Sequence, residues 1–224
     1  MPVNPDADIE ISAFKWVPDF AQGFVRDLRP RWACEEIGLD YAERLIGPEE
    51  QASDSYRREQ PFGQVPVLND DGVSMFESGA ILLNLAEKDE HLLAADPQQR
   101  ASTISWLFAA FNSIEPMVFE LGNIDLFSKV EEWAQLRRPG LIESLGGRLD
   151  QMAKALGDKD YLVGDFSVAD IAMSTTLRET ERAGMLEQRP ALSAYLARCI
   201  DRPAFKRALK AQMVHFTKNE PQPA

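Results

Sequence analysis

The run Val65-Pro66-Val67-Leu68, followed eleven residues after its proline by Glu77-Ser78, constrains this chain more than any other stretch. Proline cannot donate to a sheet ladder, so a proline inside an apolar run belongs at a strand start or on an edge. A cis bond, found for about 5–6% of X-Pro peptides, would turn the chain sharply there. It would hold the N–H and C=O of Val65 out for another extended molecule to pair with. Glu77 and Ser78 then open a helix, whose unsatisfied N–H groups and positive dipole end suit a carboxylate. Together these residues make a receptor for a short, anionic, peptide-like ligand. A buried edge strand followed by a capped helix is the plainer reading of the same residues.

The chain's 224 residues hold about two domains of average size. Hydrophobic content of 45% and charged content of 27% are those of an ordinary globular protein. A net charge of −12 argues against nucleic acid or anionic membrane as a partner. No apolar run approaches the roughly 20 residues that span a bilayer. Met1 to Glu10 is acidic and carries two prolines, unlike a signal or transit peptide. Cys34 and Cys199 lie far apart with no CxxC pair, so neither a zinc site nor a disulfide framework is expected, and both read as buried, inert thiols. His91 and His215 read as surface residues, no metal is expected, and a cytoplasmic location is anticipated.

Along the chain, 9–14 and 40–46 read as strands, 24–37 as a helix closed by Gly38, and 49–58 as a polar helix or loop. Pro30 should kink the first helix or mark its start. Residues 67–68 and 74–76 flank a turn signal, Asn69-Asp70-Asp71-Gly72, and form a hairpin, after which 77–87 is helical with Ile81, Leu82 and Leu85 on one face. From Asp96-Pro97 onward only amphipathic helices are expected. Ile104, Leu107, Phe108 and Phe111 form one stripe, Leu145, Leu149 and Met152 another, and later helices run over 167–182, 191–200 and 203–213. Asn219 to Ala224 reads as a loose tail. The expected organisation is an α/β domain over 1–90 and an all-α domain over 97–224.

Four motifs in order resemble the cytosolic glutathione S-transferases. They are Trp32-Ala33-Cys34-Glu35-Glu36-Ile37-Gly38-Leu39-Asp40-Tyr41, Gln60-Pro61-Phe62-Gly63-Gln64-Val65-Pro66-Val67-Leu68, Phe76-Glu77-Ser78-Gly79-Ala80-Ile81, and Asp165-Phe166-Ser167-Val168-Ala169-Asp170. The resemblance spans roughly residues 9 to 215 and implies a thioredoxin-like domain followed by a helical bundle. Ser167 and Asp170 also have a physical reading of their own, as a capping box that starts a helix. Ser74 to Glu77 could be a second box, which leaves Glu77 open between a structural and a binding role.

The resemblance implies glutathione as co-substrate. Its cysteinyl backbone would pair with Val65 beside cis Pro66, its γ-glutamyl ammonium and carboxylate would meet Glu77 and Ser78, and its glycyl end would approach Gln64. There an amide stands where some relatives carry lysine, so the carboxylate must be neutralised elsewhere. Relatives activate the thiol with a Tyr, Ser or Cys between the first strand and helix, yet 13–33 contains no Ser, Thr, Tyr or Cys. Alignment puts Phe24 or Val25 at that position. The candidates left to stabilise the thiolate are backbone N–H groups near Gly23 and Phe24, the indole of Trp16, and the charges of Lys15 or Arg26. Lys15, Arg26, Arg29 and Arg31 form a basic island in an acidic chain, suited to an anionic ligand, although Arg29 and Arg31 read more readily as a solvated face. Trp106 to Phe119 is the expected wall of an apolar pocket for a small-molecule electrophile, with Phe111 and Glu115 facing it and most of the other apolar residues in the core. A homodimer is expected. The function this implies is conjugation of glutathione to a small apolar electrophile; a non-catalytic glutathione binder and a glutathione-dependent peroxidase or reductase are the alternatives.

Overall fold

A computed structural model describes residues 3–221. By its contacts the chain divides into two units, one holding the residues up to Leu92 together with those from Asp201 onward, the other Leu93–Ile200. The expected division at 1–90 and 97–224 differs in one respect: the last helix belongs with the first unit.

In the first unit, β1 (Ile9–Phe14) pairs in parallel with β2 (Ala42–Ile46) and antiparallel with β3 (Val67–Asp70), which pairs antiparallel with β4 (Val73–Phe76). The sheet order is β2-β1-β3-β4. Parallel strands need a crossover, and α1 (Leu28–Ile37) supplies it, ending at Gly38 with φ 70°. The helix starts later than its apolar spacing suggested, after a series of turns. Pro30 is its third residue, inside the first turn, where a missing N–H costs no hydrogen bond. The short helices α2 (Pro48–Ala52) and α3 (Asp54–Glu59) follow β2, and α4 (Ser78–Ala86) follows the hairpin. Asp71 and Gly72, both at positive φ, make the hairpin turn. Ile46, Tyr56, Val65 and Val67 form a buried cluster against which Phe14 and Val25 pack.

Helix α1 is buried on nearly every side because α4 and α10 (Pro203–Lys218) both pack on it. Trp32 meets Phe205 edge-on with ring centroids 4.8 Å apart. Arg202 grips Glu36 with two hydrogen bonds of 2.7 and 2.8 Å, and Arg207 reaches Glu35 at 2.5 Å. Arg29 and Arg31 are therefore buried rather than solvated, at 3% and 0% exposure. Arg31 donates to Asp27 at 2.7 Å and also pairs with Glu43, while Gln212 holds the other Asp27 oxygen at 2.7 Å. His215, expected at the surface, is buried with Nδ1 3.5 Å from Glu43, because the face of α10 that carries it turns toward β2. His91 is exposed, as expected.

The second unit is helical: α5 (Pro97–Ala109), a π turn (Ala110–Ile114), α6 (Glu115–Phe127), α7 (Glu132–Leu156), α8 (Val168–Arg182) and α9 (Pro190–Ile200). Leu145, Leu149 and Met152 are buried as read, but of the Ile104–Phe111 stripe only Leu107 is. Thr103, Leu107, Ala110 and Ile114 form the inner face instead, and Phe108 and Phe119 are exposed rather than core. The small residues Thr103 and Ala110 take the buried positions beside Leu107, at spacings a regular helix also gives. The N–H of Glu115 bonds to Ala110 O, five residues back, just before Pro116, which has no N–H to give. The extra residue in the π turn shifts the register of α6 relative to α5. At the start of α8, Asp170 accepts from Ser167 N–H at 2.9 Å, Ser167 Oγ–H at 3.0 Å, Leu162 N–H at 3.0 Å and Tyr195 O–H at 2.8 Å. No helix among the described residues is long and apolar enough to cross a membrane. Residues 222–224 of the expected tail lie outside the described residues.

Asp170→Ala would leave four buried donors without this acceptor and is expected to cost about 3 kcal/mol, measured by urea unfolding. A second prediction concerns Glu43. Burial alone would raise its carboxyl, but His215 and the Arg31 guanidinium outweigh burial and hold it at about 2, below its ordinary 4.5. A lowered folded value stabilises above about 4.5 and loses that contribution as pH falls toward about 2. The stability difference between wild type and Glu43→Gln should shrink across that window, as read by unfolding at successive pH values.

Candidate functional site

The site grows from the sequence around the proline. The Val65-Pro66 bond is cis. Two side chains hold the segment. Tyr56 Oη–H donates to Gln64 O at 2.7 Å, and Ser12 Oγ accepts from Val67 N–H at 2.7 Å while lying 3.0 Å from Tyr56 Oη. Since the Tyr56 proton goes to Gln64, the Ser12 hydroxyl donates to Tyr56, and every proton in the chain is assigned. One residue upstream, Gly63 sits at φ 63° with its carbonyl accepting from Gln51 Nε2 at 2.7 Å. Between these anchors the N–H and C=O of Val65 have no hydrogen-bond partner among the described residues, although Val65 is buried.

The β3–β4 register sets Val67 opposite Phe76, so Pro66 and Glu77 leave the hairpin at the same end. A single residue, Glu77, turns the chain from β4 into α4. It does so at φ 70° and ψ 113°, a left-handed-side conformation that costs a non-glycine residue about 1–3 kcal/mol. Its side chain caps nothing and is exposed, so the capping-box reading of Ser74 to Glu77 does not hold. Ser78 follows, buried at 5%, and its Oγ accepts from Arg29 Nη1 at 3.0 Å. The N–H groups of Ser78, Gly79 and Ala80 point out of the helix end with no acceptor among the described residues.

Beside this, a cavity of about 310 Å³ opens at the carboxyl ends of β1 and β2, lined by Phe14, Lys15, Trp16, Ile46, Gln51 and Asn219 among others. Phe14 and Ile46 also belong to or pack on the buried cluster that holds Val65, so cavity and edge segment share that cluster. The Trp16 indole N–H is buried without a partner among the described residues, a donor awaiting an acceptor.

The structure thus brings Gln64, Val65, Pro66, Glu77 and Ser78 to one end of the hairpin, with Trp16 and Lys15 at the neighbouring strand ends. Phe24 fares differently: its N–H donates to Ala21 O at 3.0 Å, so that amide is used within the turn. Arg26 is half-buried on the approach to α1. Phe111, in the π turn, and Glu115, opening α6, are both half-buried in the second unit. Cys34 is fully buried, and burial pushes its thiol up to about 12, so it stays protonated. Cys199 is buried as well. Sequence reasoning passed over Ser12 and Tyr56, and it set Arg29 in a basic island suited to an anionic ligand while favouring a solvated face. The one aromatic in the polar segment Asp54–Glu59, and a serine between Ile11 and Ala13 on β1, were the available signals.

A sheet of this order with a cis proline opening its antiparallel β3 defines a thioredoxin-like domain, here joined to a helical one. The chain matches the family models "Glutathione S-transferase, N-terminal domain" over residues 21–87 and "Glutathione S-transferase, C-terminal domain" over residues 141–203. It belongs to the glutathione S-transferase family. Among its relatives is the disulfide-bond oxidoreductase YfcG of Escherichia coli strain K12, 34% identical over 197 residues, covering 80% of this chain and 88% of that protein. A glutathione S-transferase of Hyoscyamus muticus is 30% identical over 192 residues, covering 79% and 89%. Among solved structures, a glutathione transferase family member from Pseudomonas fluorescens Pf-5, with two glutathione bound, superposes with a TM-score of 0.79 at 25% identity, covering 92% and 93%.

Glu77→Gly should separate strain from binding. Glycine adopts positive φ freely, so the melting temperature is expected to hold or rise. Glutathione affinity, measured by calorimetry on the same protein, should fall.

Proposed function

We propose that this chain binds glutathione extended along Gln64-Val65-Pro66 and uses its thiolate to attack a small apolar electrophile. The observation that carries this reading is the unpartnered N–H and C=O of buried Val65, flanked by the open amino end of α4. An extended peptide can satisfy both groups as a strand would. In this pose the cysteinyl backbone pairs with Val65, the γ-glutamyl ammonium meets Glu77, and its carboxylate meets Ser78. The glycyl carboxylate runs toward Gln64 and the cavity rim, where Lys15 supplies the cation that Gln64 does not.

A free thiol has a pKa of about 8.5, and the thiolate is the nucleophile. With no hydroxyl or thiol available between β1 and α1, the donor falls to Trp16. Trp16 lines the cavity at the strand ends and its buried indole N–H has no partner among the described residues; in this reading it donates to the sulfur of a glutathione paired with Val65. A hydrogen bond to the charged form lowers a pKa. The thiolate then forms a carbon–sulfur bond as the leaving group departs with its electron pair, and no covalent bond to the protein is needed.

Disulfide reduction is the second reading. The 34%-identical relative bearing a disulfide-bond oxidoreductase name supports it, as does the Pseudomonas structure holding two glutathione. Since both cysteines of this chain are buried, both attacking sulfurs must come from glutathione. One thiolate would attack the substrate disulfide, forming a mixed disulfide and expelling a thiolate. The second glutathione would attack the bound glutathionyl sulfur, leaving glutathione disulfide and a second substrate thiol.

Rates with an aryl halide and with a small dialkyl disulfide, each against glutathione concentration, test the two. Saturable conjugation supports the first and saturable disulfide reduction the second; binding without turnover on either leaves a glutathione-binding protein. Trp16→Phe is expected to raise the pKa of the bound thiol by about one unit, read from the pH dependence of its thiolate absorbance. An unchanged pKa would remove Trp16 from the mechanism.

A further inference from the structure

Tyr56 is 1% exposed, and its ring belongs to the buried cluster with Ile46, Val65 and Val67, the Arg44 guanidinium lying 5.3 Å from the ring centroid. Packing accounts for the ring but not for the hydroxyl, which a phenylalanine would do without. We infer that Tyr56, with its hydroxyl oriented by Ser12, is a positioning residue of the glutathione site: it fixes the plane of the Gln64–Val65 peptide and so aims the Val65 N–H at the ligand's cysteinyl carbonyl. This deepens the glutathione reading above and rests on it.

The Gln64 carbonyl and the Val65 N–H belong to one peptide group. Val65-Pro66 is the only cis bond among the described residues, so the Gln64–Val65 peptide is trans, and its C=O and N–H point in opposite directions. Tyr56 Oη–H holds the C=O at 2.7 Å from within the core. The N–H is thereby turned away from Tyr56, and no acceptor among the described residues receives it. Without that bond the planar group could swing about its two flanking soft dihedrals, carrying the N–H with it. Ser12 settles which way the phenol donates. It accepts from Val67 N–H at 2.7 Å and gives its own proton to Tyr56, 3.0 Å away, which leaves the phenol proton for Gln64. Burial pushes that phenol above its ordinary pKa, so the proton stays in place.

Polarisation adds to geometry. Groups that accept and donate at once strengthen one another. The run from Val67 N–H through the Ser12 and Tyr56 hydroxyls ends on the Gln64 oxygen. A carbonyl that accepts draws charge through its partly double C–N bond and leaves the N–H beyond it a better donor. A ligand carbonyl set opposite Val65 gains from this, whereas a ligand without that carbonyl gains nothing. Hydroxyls that merely tied α3 and β1 to the start of β3 would support both ligands alike.

Calorimetry on the full chain separates these roles, with two thiols as probes. γ-Glutamylcysteinamide keeps the cysteinyl carbonyl, and γ-glutamylcysteamine lacks only the carboxamide that contains it. Wild type is expected to bind the first at least about fivefold more tightly, the size of one neutral hydrogen bond. In Tyr56→Phe, which keeps the ring and removes the hydroxyl, the preference should fall below about twofold, with affinity for γ-glutamylcysteamine within about twofold of wild type. Ser12→Ala leaves the phenol without its orienting donor, and its preference should lie between the two. It decides the matter if the phenylalanine variant does not fold. A preference unchanged in the folded variants, or a loss that falls equally on both probes, makes the hydroxyls structural only and overturns the inference. Equal wild-type affinity for the two probes overturns it as well, and glutathione binding would then leave the site standing without this contact. Failure of wild type to take up glutathione at all would instead sink the functional reading.

Discussion

The arrangement at the proline depends on a pair of hydroxyls. Ser12, in β1, and Tyr56, in α3, are far apart in sequence, and their oxygens lie 3.0 Å apart in the core. From them, one hydrogen bond runs to Gln64 and one is received from Val67. The residue at the centre, Val65, is held by its neighbours on both sides and uses neither of its own backbone groups internally. Buried backbone groups normally find partners, so this segment keeps a deficit that a bound strand can fill. The hydroxyl network keeps the chain from relaxing to fill it by itself.

Much of this was legible beforehand. An X-Pro bond within an apolar run, a turn signal, and a helix-opening Glu-Ser pair are local features, and local features are what a sequence states directly. The four strands, the hairpin and the amino ends of α8, α9 and α10 follow from them within a few residues. So does the burial of Cys199, in an Ala- and Leu-rich helix, while that of Cys34 followed from an apolar position in the family pattern it resembles. The helix start at Glu77 and Ser78 was readable for the same reason, although the positive φ of Glu77 is written nowhere in its neighbours.

What could not be read is what comes from distant chain. Arg29 and Arg31 look like solvent-facing charges because Ser78 and Glu43, on other elements, are among their partners; only Asp27, at the start of the same helix, is local. Their burial is a consequence of α10 closing over α1. His215 is the same case from the other side, since nothing near it in sequence shows that its helix turns toward β2. The misplaced stripe of α5 has a different origin. Two helical stripes share Leu107, and the buried one is the stripe carrying the small residues Thr103 and Ala110 rather than the one carrying Phe108 and Phe111. Phe24 is a third kind of miss: its amide was free on paper, and the tight turn back to Ala21 takes it.

The path of the chain carries a consequence for ancestry and for engineering. Since the final helix returns to α1, through Arg202 on Glu36 and Arg207 on Glu35, the molecule is not two modules in tandem. Residues 93–200 are topologically an insert, spliced between a sheet-bearing module and that module's own closing helix. A hybrid that exchanges partners at one junction would strand α10 on a foreign surface and strip α1 of its cover. Recombination that respects this chain needs two crossovers, one on either side of the insert.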